Sequence, residues 1–147
     1  MARFLFRLQP LLGVKEQIES QKEIEYGQAL RRLEEERQAK RKLVAQKEEQ
    51  IVSFRKSLDE DINPADIRRY NNMIERLKQR IMEQDIRIDA AEAYAEKKRL
   101  ELVEAMKQRK MLDSIKEHRY EDYLQEEKLE DQKLVDQLVS YTYAERD

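Results

Sequence analysis

The chain has no cysteine, no tryptophan, a single histidine, and only two glycines and two prolines among 147 residues. Without cysteine there is no disulfide, no thiolate metal site and no sulfur nucleophile, which suits a reducing compartment. Two isolated glycines, Gly13 and Gly27, cannot build a phosphate-cradling loop, so nucleotide binding by P-loop or Rossmann logic is excluded. No apolar stretch approaches the roughly 20 residues needed to span a bilayer. Four turn-formers also support no more than one or two chain reversals, where an average globule of this size would carry several times that number.

What is present in excess is charge, at 42% of the residues, balanced as 30 Lys and Arg against 32 Asp and Glu. A net charge of −2 gives no self-repulsion to expand the chain and no basic field to hold nucleic acid. The opening MARFLFRLQPLLGV has basic and leucine residues in the manner of a secretory signal, but Arg7 and Gln9 interrupt it and no small-residue cleavage site follows. It reads as mature protein.

Long helices are the remaining solution. Helix 1 is expected from about Pro10, a tolerated first-turn position, to Leu58. A turn over 59–63 follows, and Asn63, Pro64 and Asp66 form a restart signal of cap, first-turn proline and first-turn acid. Helix 2 then extends to about Ser140, with a frayed end over 141–147.

In helix 2 the positions Ile67, Tyr70, Ile74, Leu77, Ile81, Gln84, Ile88, Ala91, Ala95, Lys98, Leu102, Ala105, Arg109 and Leu112 alternate by three and four, and eleven of the fourteen are apolar. That is a coiled-coil seam. Helix 1 answers with Leu30, Leu33, Arg37, Lys40, Val44, Lys47, Ile51, Phe54 and Leu58. The expected fold is all-α: one domain in which two long helices form an antiparallel coiled-coil hairpin, residue i lying opposite about 123 minus i. Leu11 then faces Leu112, and helix 2 overhangs by some 28 residues, roughly 42 Å. The overhang carries Tyr120, Tyr123, Leu124, Leu129, Leu134, Val135, Leu138 and Val139 with no partner in the same chain. Another molecule is expected to bury them, because isolated helices gain little from propensity alone.

Chemistry is thin. His118 has no second His or Cys to complete a metal site, and position 115 is Ile where a Glu-x-x-His di-iron pattern needs a carboxylate. The many acids are read as solvated faces, since two helices offer no concave pocket to shift their pKa values. No catalytic residue, metal or cofactor is expected. A basic excess at Lys97, Lys98, Arg99, Lys107, Arg109 and Lys110 precedes an acidic run from Glu121 to Asp131, which can orient the chain on a partner or be mere surface. Phe54 and Met73 near the turn are core residues or contact sites, and Tyr70 and Leu77 belong to the seam.

The entry segment Phe6-Arg7-Leu8-x-x-Leu11-Leu12, followed by Lys15-Glu16-x-x-Glu19 and a heptad chain rich in Glu, Lys, Arg and Gln, resembles the flagellar FliJ family. Length, single central break and extended second helix agree with it. The resemblance implies a cytoplasmic, non-enzymatic part of the flagellar type III export apparatus, peripherally associated with the inner membrane. Family members are similar to the γ stalk of rotary ATPases. They insert their terminal helices into the export ATPase ring, bind the cytoplasmic linker of the export-gate membrane protein and escort export chaperones. On this chain the resemblance implies ATPase contacts at Leu8, Leu11, Leu12, Tyr123, Leu124, Leu134 and Leu138, and gate contacts at Phe54, Met73 and Leu77. The alternatives are an injectisome stalk homologue and a self-associating structural coiled coil.

Overall fold

The computed structural model describes residues 3–146; Met1, Ala2 and Asp147, at the tips of the opening segment and of the expected frayed end, lie outside the described residues. Two helices make up nearly all of it, α1 over Gln9–Leu58 and α2 over Pro64–Arg146, and they pack against each other. Between them Asn63 caps α2: its side-chain Oδ1 accepts from the Ala65 amide at 3.2 Å and its carbonyl from the Asp66 amide at 2.9 Å. Proline at the next position costs nothing, because its missing N–H belongs to a turn that has no intrahelical acceptor. Helix α2 continues through Tyr141 and Tyr143 to Arg146, past the expected end near Ser140.

The chain divides into two compact units, one of residues 21–102 and the other of the two chain ends, 1–20 with 103–147. The first unit contains the turn and is an antiparallel helix pair. Leu33, Ile88 and Ala91 form its buried cluster, with Leu77, Ala29 and Ala95 also buried. Lys22 bonds Glu101 at 3.3 Å and Lys98 bonds Glu25 at 3.3 Å, pairs whose numbers add to the expected 123. Every expected seam position of α2 is buried or half-buried.

Helix α1 departs from expectation at three layers. Leu30, Arg37 and Leu58 face outward, Leu30 being 43% exposed, while Ala29, Glu36 and Ser57 turn inward in their place. At the Glu36 layer the inward partner is Gln84, which is 5% exposed and needs acceptors inside the seam, while Ser57 meets the Tyr70 hydroxyl at 3.3 Å. The Gln84 amide donates to the Glu36 carbonyl at 2.8 Å and to the Glu36 carboxylate as well. Holding Glu36 rather than Arg37 at the interface turns α1 by one residue there. Side-chain hydrogen-bonding need thus overrides the simple apolar spacing.

The second unit pairs the start of α1 with α2 from Val103 onward. Lys15 donates to Gln108 at 2.8 Å, again at the expected register, and Arg109 forks onto Glu19 and, at 2.7 Å, Asp113. It is Leu12, 2% exposed, that lies against Leu112, whereas Leu11 points outward. Phe6, from the preceding segment, joins Leu12 and Leu112 in the same buried cluster.

Candidate functional site

The unit of the two chain ends holds most of the expected contact residues. Residues 3–6 have no regular structure, and the chain enters α1 through the Gln9 amide on the Phe6 carbonyl at 3.0 Å and the Leu12 amide on the Leu8 carbonyl at 2.9 Å. Phe6, Leu12 and Leu112 form a buried cluster with Phe4 and Leu8 packed on it, and the Arg119 guanidinium lies 5.7 Å from the Phe6 ring. Phe4 meets Tyr120 edge-to-face at 5.2 Å and Tyr123 at 5.5 Å, both favourable geometries for aromatic rings.

This corrects one expectation. Tyr120 and Tyr123 have an intramolecular partner, because the irregular segment over residues 3–6 brings the Phe4 ring onto them. The signal was present as Phe4-x-Phe6, two aromatic rings two apart ahead of a helix-starting proline. Burial, chiefly, with the neighbouring Glu127 charge, pushes the Tyr123 phenol above its ordinary value of 10.0.

Beyond Tyr123 the apolar residues are open. Leu124 is 47% exposed and Leu138 66%, with Leu129, Leu134, Val135 and Val139 in the same condition. Leu124, Val135 and Leu138 fall on one stripe of the helix, with Leu134 and Val139 at its flanks. Of the seven expected ATPase contacts, then, Leu11, Leu124, Leu134 and Leu138 are on the surface, Leu8 and Tyr123 are half-buried and Leu12 is interior.

The expected gate contacts sit in the other unit. Phe54 and Tyr70 rings lie 5.4 Å apart, and the Tyr70 hydroxyl is 3.3 Å from that of Ser57, which donates to the Ser53 carbonyl at 2.9 Å. Leu77 is buried, Phe54 is half-buried and Met73 is exposed. Met73 borders an open groove of about 430 Å³ with Tyr70, Ile62 and Arg69 at the turn. A second groove of about 590 Å³ has a small-residue floor of Ala29, Ala90 and Ala91 between Arg32, Arg87 and Tyr94.

Among the described residues no cluster of His, Cys, Asp or Glu could hold a metal ion, and no helix is long and apolar enough to cross a membrane. His118 is an exposed side chain 3.9 Å from Glu121.

Comparison with known families gives a match to the flagellar FliJ protein over residues 4–147. The chain belongs to the FliJ family. The match takes in both helices and all but the first three residues. FliJ membership makes the chain a component of the flagellar export apparatus, of a family whose members are structural export proteins. No curated protein and no solved structure matched.

Proposed function

We propose that this FliJ-family chain is the non-enzymatic stalk of the cytoplasmic flagellar export machinery, held at the inner membrane only through its partners. In this reading the unit of the two chain ends binds and activates the ring-shaped export ATPase. The turn-bearing unit meets the cytoplasmic linker of the export-gate protein through Met73, backed by Phe54 and Leu77, and export chaperones dock elsewhere on the chain. The observation that carries the reading is the exposed apolar stripe of α2 beyond Tyr123, with Leu124, Leu134 and Leu138 uncovered. Exposed aliphatic groups in such a row are the mark of a contact surface.

Within that assignment the residues divide by role. Leu11, Leu124, Leu134 and Leu138 touch the ring, while Leu12 and Leu8 hold the terminal unit in shape behind them. A stalk needs no active site. By presenting different faces to chemically identical ring subunits it binds one ring conformation better than the others, and that differential affinity biases the ATPase cycle.

The test is ATP turnover and ring assembly by the export ATPase of the same source, with the full chain and with a version ending at Tyr123. Ending there removes the open stripe and keeps the Phe4 contacts, so the terminal unit stays folded. Stimulation by the full chain that falls at least tenfold on truncation is the expected result. Equal stimulation by both versions overturns the tail assignment, and no stimulation by either overturns the stalk.

A further inference from the structure

The two edges of the turn-bearing helix pair are built differently. On one edge cations of α1 meet acids of α2 across the seam, Arg37 on Glu92 at 3.0 Å and Lys40 on Asp85 at 2.7 Å. Asp85 and Glu92 directly follow the seam positions Gln84 and Ala91, whereas Arg80 and Arg87 stand four before and three after Gln84, which puts them on the opposite edge. There α1 answers with Arg32 and Leu43 instead of acids. Among the described residues no carboxylate comes within ion-pair distance of Arg80 or Arg87, and Arg32 has only Glu36, at 3.9 Å. The acids that border this edge are engaged elsewhere: Glu25 with Lys22 and Lys98, Glu36 with the Gln84 amide, and Glu83 with the Gln79 amide.

The groove of about 590 Å³ lies on this edge. Its floor is alanine, with Ala29 3% and Ala91 8% exposed, and Arg32, Arg87 and the half-exposed Tyr94 stand around it. Side chains this small let the backbone of a third helix come close, toward about 8 Å between axes. The cations form a ladder along the edge. Arg80 and Arg87 are two turns apart, about 10 Å, and Arg32, level with about Ala91 in the register of the pair, stands roughly 6 Å further on. A helix laid here parallel to α2 meets them with acids at i, i+7 and i+11, and one laid the other way with acids at i, i+4 and i+11; either set falls on one helical face. The acidic tail of a second copy does not have this spacing, since no two of its acids between 121 and 136 stand seven apart.

We propose that this edge is the docking site of an acidic amphipathic helix from a partner protein. Its carboxylates bridge Arg80, Arg87 and Arg32, as the acids of α2 bridge Arg37 and Lys40 on the other edge, and its small or apolar residues lie on the alanine floor. Charge pairs of this kind fix the register of the docked helix and speed its encounter. The site is separate from the surfaces of the stalk reading: Arg87 is fourteen residues, about 21 Å, along α2 from Met73, and the open tail belongs to the other unit. Neither the export ATPase nor the gate enters its test.

The experiment is fluorescence-anisotropy binding of two labelled helical peptides to the purified full chain at low and high salt. Each is an alanine-rich helix of about 20 residues; one carries Glu at i, i+4, i+7 and i+11, which serves either direction, and the other carries Lys at the same places. The groove variant is Arg32→Glu with Arg87→Glu. The control is Lys78→Glu with Arg99→Glu, the same change of charge away from the groove, and circular dichroism checks that both variants keep their helices. All four positions are exposed. The wild-type chain is expected to bind the Glu peptide, more weakly as salt rises, and not the Lys peptide. The groove variant is expected to lose at least about tenfold in affinity for the Glu peptide and to bind the Lys peptide instead, while the control keeps wild-type binding. A wild-type chain that does not bind the Glu peptide, or that binds both peptides equally, overturns the proposal. Equal losses in the groove variant and the control overturn it as well, since they reduce the effect to net charge.

Discussion

Phe4 shows how much one side chain outside the helices decides. Its ring covers Tyr120 and Tyr123, and burial is the first cause of the raised Tyr123 pKa. Replacing the ring with a methyl group lets water reach the phenol, and water favours the phenolate. Phe4→Ala is therefore expected to bring the Tyr123 titration back down toward 10.0 in an ultraviolet pH titration, using Tyr123→Phe to assign the signal. A titration curve left unchanged by Phe4→Ala shows that the ring does not shield the phenol. Gln84 acts at the same scale but on the register: an apolar residue there would leave the choice between Glu36 and Arg37 open, whereas the amide selects Glu36 through two hydrogen bonds.

At the scale of the element, both helices lack what ordinarily ends a helix, and their length follows from composition more than from strong amphipathicity. Gly27 is the clearest internal weakness. It sits mid-α1 without a positive φ, and a Cβ added there meets nothing within 4 Å. Gly27→Ala is expected to stabilise the chain by about 1 kcal/mol, since alanine loses less backbone freedom on entering a helix. A urea midpoint that fails to rise would mean that the space around Gly27 is needed. The helices, the turn and the seam of α2 were legible in the sequence because a three-four alternation and an Asn-Pro restart have few other structural meanings. Two features escaped that reading for identifiable reasons. The inward turn of Glu36 in place of Arg37 goes with a buried amide, Gln84, seeking acceptors, which apolar spacing does not encode. The docking of Phe4 depends on a non-helical segment, which a pairing of helix positions does not place. Of the expected contact residues, spacing identified the open row at Leu124, Leu134 and Leu138, but not that Leu12, one residue from exposed Leu11, is interior.

At the scale of the whole chain, stability rests on charge as well as on a thin apolar seam. Lys22, Glu25, Lys98 and Glu101 form an alternating quartet, each ammonium within 3.4 Å of two carboxylates. Hydrogen bonds from Lys98 foremost, then from Lys22, lower the Glu25 and Glu101 pKa values below 4.5, while hydrogen bonds from Glu101 foremost raise both lysines above 10.5. The signs fix the window. Carboxylates with lowered folded values stabilise above 4.5 and lose that contribution as pH falls through them; lysines with raised values stabilise below 10.5 and lose it as pH climbs through theirs. The melting temperature is thus expected to be flat between about pH 5 and 10 and to fall on both sides. In Lys98→Met, which removes the cation shared by both acids, the fall on the acid side should be shallower. An unchanged acid limb would show that the quartet contributes nothing to folding.

The pairing of Phe4 with Tyr120 and Tyr123 also has a consequence in time. A ribosome delivers the first residues long before the last, and at about 5–20 residues per second Tyr120 follows Phe4 by roughly 6–23 s. Through that interval Phe4, Phe6, Leu8 and Leu12 are out in the nascent chain with the α2 surface that will pack against them not yet synthesised. The opening segment is accordingly the part of this protein most dependent on being shielded during its own synthesis.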